Sequence, residues 1–209
     1  MSLLKPGNRV LFIGDSITDA GRDRSNPDDL GGGYPSVVAA TYAAGIHAAD
    51  GVRFLNRGIS GNRIRDLRAR WQANCLDLAP DVVSIMIGIN DTWRRYDSDD
   101  ETPVNAFERD YRAILQGTVD SSSGALVLVE PFLLPVRDGQ ESWREDLDPK
   151  IAVVRQLAAD YSATLVSLDT LITQAAATRD PAKLAHDGVH PTPEGHVFIA
   201  RTWLAATTT

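Results

Sequence analysis

The sequence predicts an α/β protein in which helices cover both faces of a five-stranded parallel sheet, a three-layer α/β/α sandwich. Three observations carry that expectation. Five short segments rich in Val, Ile and Leu read as strands buried on both faces. Segments with apolar residues at three- and four-residue spacing fall between them. No Pro/Gly-rich linker, low-complexity tract or repeat interrupts the alternation along the 209 residues. That length suits one domain over 1–209, large enough to fold without a metal or disulfide staple.

Taken in order, the strands are expected at Arg9–Ile13, Val52–Asn56, Asp81–Ile87, Ala125–Glu130 and Thr164–Leu168. Ile64, Leu67, Trp71, Cys75 and Leu78 would line the buried stripe of a helix between the second and third strands. Cys75, the single cysteine, reads as a core thiol and excludes an internal disulfide. Phe107, Tyr111, Ile114 and Leu115 build the next stripe, with Asn105 as a candidate cap. Asp148-Pro149 reads as the cap and first turn of a helix carrying Ile151, Val154, Leu157 and Tyr161. Thr192-Pro193 repeats that arrangement before Ile199, Trp203 and Leu204.

Composition narrows the function classes. Lys and Arg number 21 against 28 Asp and Glu, a formal net charge of -7 that repels a phosphate backbone. Nucleic acid is therefore not an expected partner. The apolar runs fall far short of the ~20 residues needed to span a bilayer, so no membrane partner is expected either. The opening M-S-L-L-K-P-G-N-R leads almost directly into V-L-F-I, an arrangement that predicts a cytoplasmic chain. Amphipathic stripes describe an intramolecular core as well as a subunit contact, so a homo-oligomer stays an option.

In such a sheet, functional groups collect outside the carboxyl ends of the strands. Gly14-Asp15-Ser16 follows the first strand at once, which places Ser16 on a turn where its hydroxyl is either a nucleophile or a helix cap. Asp187-Gly188-Val189-His190 shifts the balance, because a carboxylate three residues before a histidine can hold Nδ1-H while Nε2 faces a serine. Of the other histidines, His186 beside Asp187 is the second candidate base. His47 and His196 read as surface or packing residues. Acyl transfer also needs donors for a developing oxyanion, and the Gly58 N-H, the Asn90 amide and the Ser16 N-H are candidates, with backbone geometry or loop anchoring as the alternative for Gly58 and Asn90.

These blocks, G-D-S-I at 14–17, N-x-G-x-x-G at 56–61, G-x-N-D at 88–91 and D-x-x-H at 187–190, closely resemble the four signatures of the SGNH hydrolases, the GDSL esterase/lipase superfamily. The resemblance implies a flavodoxin-like sheet and a triad of Ser16, Asp187 and His190. It also implies an oxyanion hole of Ser16, Gly58 and Asn90, and no metal or organic cofactor. F-I-G-D-S-I-T-D, N-R-G-I-S-G-N, S-I-M-I-G-I-N-D-T-W-R and D-G-V-H-P-T, with Arg65, Asp66 and Trp71, look most like the intracellular acetylxylan esterase branch.

The expected activity is hydrolysis of small acyl esters, above all acetyl groups on xylo-oligosaccharides. A general short-chain lipase, arylesterase or thioesterase is the nearest alternative, and a non-catalytic carbohydrate- or nucleotide-binding module the more distant one. Asp15 and Asp19 read as site-shaping, the latter through Arg22 or Arg63. Trp93 and Arg94 are expected at the edge of the acyl pocket, with Trp143 in a long segment that can close over it. The acidic run Asp97 to Glu101 reads as a solvated loop, and Asn90-Asp91-Thr92 as a coincidental glycosylation match.

Overall fold

The computed structural model describes residues 2–45, 48–121 and 124–208; His47 lies outside the described residues. Strands β1 (Arg9–Gly14), β2 (Arg53–Asn56), β3 (Val82–Met86), β4 (Ala125–Val129) and β5 (Thr164–Val166) form one sheet in the order β2-β1-β3-β4-β5, with every neighbour parallel. The chain adds β2 on one side of β1 and then returns to place β3 on the other. Their carboxyl ends flank the crevice where such sheets bind ligands. Gly14 lies opposite Met86 there, and a Cβ on Gly14 would fall 2.2 Å from the Met86 carbonyl oxygen.

Among the described residues the α-helices are α1 (Ser16–Asp19), α2 (Tyr34–Ala44), α3 (Ile64–Asn74), α4 (Ile89–Ser98), α5 (Val104–Ser121), α6 (Arg144–Asp160), α7 (Leu168–Ala176) and α8 (Pro193–Thr207). Alternation along the strands divides the core into two. Val10, Phe12, Val82 and Val127 face α2, α7 and α8, meeting Tyr34, Val38, Ile172, Ile199 and Trp203. Leu11, Ile13, Val83, Ile85 and Leu128 face α3, α5 and the later turns of α6, meeting Leu67, Trp71, Tyr111, Ile114 and Leu157. Cys75 is free and buried in this second layer.

Three boundaries differ from expectation. Helix α3 stops at Asn74, and Leu76–Leu78 form a separate 3-10 turn, because Cys75 leaves helical geometry at φ -130, ψ -67. Helix α5 starts at Val104, directly after Pro103, whose carbonyl accepts from the N-H groups of Ala106 and Phe107; Asn105 is inside the helix and exposed. Helix α6 starts at Arg144 and carries Pro149 in its interior. The earlier start is anchored by Arg144, which pairs with Asp148 at 3.1 Å and with Asp169 at 3.0 Å, and by Lys150, which pairs with Asp146 while fully buried. Thr192 caps α8 as expected, its hydroxyl accepting from Gly195 N at 3.1 Å.

The α8 layer is fastened to the sheet by one polar contact, Trp203 Nε1 donating to Ser84 Oγ at 2.9 Å, with both residues at 0% exposure. Ser84→Ala would leave the indole N-H buried without an acceptor and should cost about 1–3 kcal/mol of unfolding free energy. Denaturant titration checks this, and an unchanged midpoint would show that the bond is replaceable.

Candidate active site

β1 ends at Gly14, and Asp15 caps the short α1 by accepting from Ile17 N at 3.0 Å. Ser16 is thus the first residue of a single helical turn that Ala20 ends in the left-handed region at φ 42. Ser16 is half-buried.

The partner histidine arrives from a turn that closes on itself. Ala185 bridges Pro191, His186 N donates to His190 O at 3.3 Å, and Thr192 N donates to Leu184 O at 2.9 Å. Gly188 takes φ +89 at the tip, with its Cα so near the Leu134 carbonyl that a Cβ would fall 2.6 Å from the oxygen. Two contacts hold the tip to the segment after β4: Leu134 N donates to Gly188 O at 2.9 Å, and Gln140 Nε2 donates to Asp187 O at 2.8 Å.

In this frame Ser16 Oγ lies 3.0 Å from His190 Nε2, and His190 Nδ1 lies 2.7 Å from Asp187 Oδ2. The other carboxylate oxygen accepts from Val189 N at 3.0 Å and His190 N at 2.7 Å. Burial alone would raise the Asp187 carboxyl, but the bonds from the His190 ring and the two N-H groups outweigh it and hold the group below its ordinary value. An ionised Asp187 favours the tautomer with hydrogen on Nδ1, leaving Nε2 to accept the serine proton. This arrangement can move a proton from hydroxyl to imidazole and back.

His186 takes no comparable place. Its ring is exposed, its centroid is 6.1 Å from that of His190, and its Nε2 is 4.0 Å from Asp187 Oδ2. His186, Asp187 and His190 form a group of potential metal ligands, but Asp187 is already bonded to His190, and His190 to Ser16. His196 serves elsewhere: its Nδ1 accepts from Tyr34 N at 3.1 Å and so caps α2 from another helix. Burial, with the His190 charge, pushes His196 down to about 4.

The oxyanion donors divide differently from the sequence expectation. Asn90, on the first turn of α4, donates one Nδ2 hydrogen to Asn62 O at 3.1 Å and keeps a second. Gly58 is committed: its N-H donates to Asn56 Oδ1 at 2.7 Å, and a Cβ there would fall 2.3 Å from Asp19 N. Its glycine is required for close packing against α1. In the same loop Ile59 N donates to Gly14 O, Ser60 N to Asp19 Oδ2 and Asn62 N to Ile59 O. Among the described residues that leaves the Gly61 N-H, at φ +83 with open space around it, as the loop donor without a partner.

Asp19 accepts from Arg24 and from the Ser60 N-H and hydroxyl, rather than from Arg22 or Arg63. Arg63 instead pairs with Asp100 at 2.6 Å, which fastens the acidic run to the start of α3. Asn56, the first residue of the N-x-G-x-x-G block, also supports the site, as do Gln140 and Arg70, which no sequence motif marks and whose site contacts, to Asp187 O and to the Gly14 and Arg57 carbonyls, reach other segments. Trp93 is half-buried, with its ring 5.7 Å from the His190 ring and 5.5 Å from Trp143, which in turn stacks on Tyr96 at 5.3 Å. These aromatics, with Arg137 and Gln140, line a cavity of about 320 Å³. Arg94 lies over the Trp93 ring at 5.5 Å and pairs with Asp97 at 2.7 Å. A larger cavity of about 440 Å³ lies beyond β5, lined by Leu165, Leu171 and Arg201 and remote from Ser16.

The GDSL-like Lipase/Acylhydrolase family matches residues 12–198. An acetylxylan esterase of Geobacillus stearothermophilus is 38% identical over 205 residues, covering 95% of this chain and 93% of that one. The crystal structure of Axe2, an acetylxylan esterase from the same organism, superposes with a TM-score of 0.91 at 36% identity, over 99% of this chain and 96% of that one. LAE5, an α/β hydrolase enzyme from the metagenome of Lake Arreo, Spain, gives a TM-score of 0.91 at 33% identity, over 99% and 98%. Axe2 variants with a serine, an aspartate and a histidine each changed to alanine are described as catalytic mutants.

Burial of Asp15 makes stability depend on pH. It is chiefly burial that raises this carboxyl from 3.8 to about 7, against the bond from Ile17 N and the His190 charge. A carboxyl raised on folding stabilises fully below its unfolded value. The contribution is lost as pH rises towards about 7, because the unfolded chain releases the proton first. Asp15→Asn abolishes that dependence. Denaturant unfolding should therefore show the wild-type free energy falling relative to D15N between about pH 4 and pH 7; a difference that does not change with pH would refute it.

Proposed function

The chain belongs to the GDSL-like lipase/acylhydrolase family, the SGNH hydrolases, and from that premise we propose a serine esterase that removes acetyl groups from acetylated xylo-oligosaccharides through an acyl-serine intermediate. The observation that carries the reading is the unbroken line from Asp187 Oδ2 through His190 to Ser16 Oγ, with contacts of 2.7 and 3.0 Å.

His190 Nε2 takes the proton as Ser16 Oγ attacks the ester carbonyl carbon, and the carbonyl electrons move onto oxygen. Asp187 stabilises the imidazolium. The oxyanion meets the Ser16 N-H, the spare Asn90 hydrogen and, in place of Gly58, the Gly61 N-H. His190 then protonates the sugar oxygen, which leaves as the alcohol. Water enters, gives a proton to His190 and attacks the acyl carbon; the tetrahedral species collapses as His190 returns that proton to Ser16 Oγ, and acetic acid leaves and ionises to acetate. Every proton step uses a group already in place.

Trp93, Trp143 and Tyr96 support a sugar leaving group, since a pyranose stacks its C-H face on an aromatic ring as the acetyl carbon reaches Ser16. The acidic balance of the chain suits a neutral oligosaccharide better than a polyanion.

Acyl-release profiling on acetylated xylo-oligosaccharides, aryl acetates, longer acyl esters and acyl-CoA tests the reading, with Ser16→Ala as the blank. The expected outcome is the best turnover on acetylated sugars and none above background for folded S16A. Preference for long acyl chains would move the assignment to a lipase or thioesterase, and normal turnover by S16A would remove Ser16 from the chemistry. A second expectation concerns Asn90→Ala: kcat should fall by about 100-fold or more with little change in KM. A loss confined to KM would place Asn90 in substrate binding alone.

A further inference from the structure

Arg70 is half-buried on α3, and its guanidinium donates four hydrogen bonds, three to segments that meet at the site and one to Asn74 at the end of its own helix. Nε donates to Asn62 Oδ1 at 2.8 Å. Nη1 donates to Arg57 O at 2.8 Å and Asn74 Oδ1 at 2.9 Å, and Nη2 to Gly14 O at 3.2 Å. All four acceptors are neutral. Among the described residues Arg70 forms no ion pair, and Asp19 and Asp66 act on its charge only from a distance.

The acceptors bear on each proposed oxyanion donor. Gly14 precedes the Asp15-Ser16 turn, and its carbonyl also accepts from Ile59 N, so Arg70 reinforces the bond between the β1 end and the loop after β2. Asn62 follows Gly61 directly. The carbonyl of the same Asn62 orients the Asn90 amide at 3.1 Å. The Ser16 N-H, the Gly61 N-H and Asn90 Nδ2 are therefore each held through a residue that Arg70 holds or its neighbour.

The geometry points to Arg70 as the positioning residue of the oxyanion pocket: one planar guanidinium fixes the separation of the Ser16 turn from the Gly61-Asn62 loop and sets behind the donors a positive charge that is in no ion pair among the described residues. This rests on the serine-esterase reading above. A planar fork with five N-H groups can span four acceptors in different directions, which a lysine ammonium with three cannot. Burial, with repulsion from Arg22 and Arg24, brings the group down to about 10, so it stays charged at neutral pH. A fixed charge near a pocket that turns anionic favours the transition state over the neutral bound ester.

The test compares wild type, Arg70→Met and Arg70→Lys, each verified as folded by circular dichroism. Readouts are kcat and KM on an aryl acetate and the rate of Ser16 labelling by a phosphonate, whose own transition state puts negative charge in the same pocket. R70M is expected to lower kcat by about 10- to 100-fold with KM within about twofold, and to slow labelling by a similar factor. R70K should recover part of the loss. A folded R70M with wild-type kcat, a loss carried by KM alone, or a fall in kcat with unchanged labelling would each overturn the role. Should R70M fail to fold, N62A carries the test, because it removes the Nε acceptor and keeps the Asn62 carbonyl for Asn90: a fall in kcat supports the role, and a wild-type kcat overturns it. Wild-type protein never labelled at Ser16 would sink the serine-esterase reading and this inference together, whereas labelled wild type beside an equally reactive R70M would sink the Arg70 role alone.

Discussion

The contact between Ser16 and His190 joins residues 174 positions apart, and neither side chain is held in place by its own sequence neighbours alone. The serine end depends on β1 and β3 being adjacent, since Gly14 must approach Met86 too closely for any side chain before the chain turns into α1. The histidine end depends on a turn closed between Leu184 and Thr192 and secured to the segment after β4 by Leu134 and Gln140. The sheet order supplies the first and the β4 segment the second. A shift of about 1 Å in either would remove the hydrogen-bond reach on which proton transfer depends.

Three buried carboxyls in this region have opposite fates, for identifiable reasons. Asp187 accepts from an imidazole and two N-H groups, which outweigh its burial, so it is held ionised. Asp15 and Asp91 are more deeply enclosed and each is raised to about 7, with burial as the first cause. Environment thus separates one carboxylate kept charged beside the histidine from two whose charge the interior resists. Behind α4, Lys150 and Asp146 form a fully enclosed pair that Arg95 extends to the surface at 3.2 Å from Asp146. Such a pair adds little net stability over apolar packing, but removing one partner is costly, and the Arg95 contact to Asp146 ties α6 to the helix that carries Asn90 and Trp93.

Arg70 and the loop glycines are complementary parts of one frame. Gly58 lets the loop lie against the α1 backbone, Gly61 supplies the reversed backbone that frees an N-H, and Arg70 gathers the carbonyls that these turns expose. Each carbonyl so satisfied removes a reason for the loop to move. The aromatic cavity is a separate structure built on α4 and the turn before α6, so leaving-group recognition can vary without disturbing the proton line.

Reading the residues alone was enough for the five strands to within two residues at each end, the buried stripes of α3, α5, α6 and α8, the Thr192 cap and the blocks holding Ser16, Asn90, Asp187 and His190. Periodicity reports which residues avoid water, and cap and turn chemistry is local, so both can be read along the chain. Helix α2 gave no such signal, because Y-P-S-V-V-A-A-T-Y-A-A is small and apolar nearly all round. The start of α6 was hidden too, since Arg144 gains its partner Asp169 from another element. That Gly58 is spent on Asn56, that Gly61 has the open N-H and that Asp19 answers to Arg24 became visible in the folded chain. A backbone donor is available or committed according to the conformation its loop takes, and that conformation is set by contacts with Gly14, Asp19 and Arg70, which distant parts of the sequence supply.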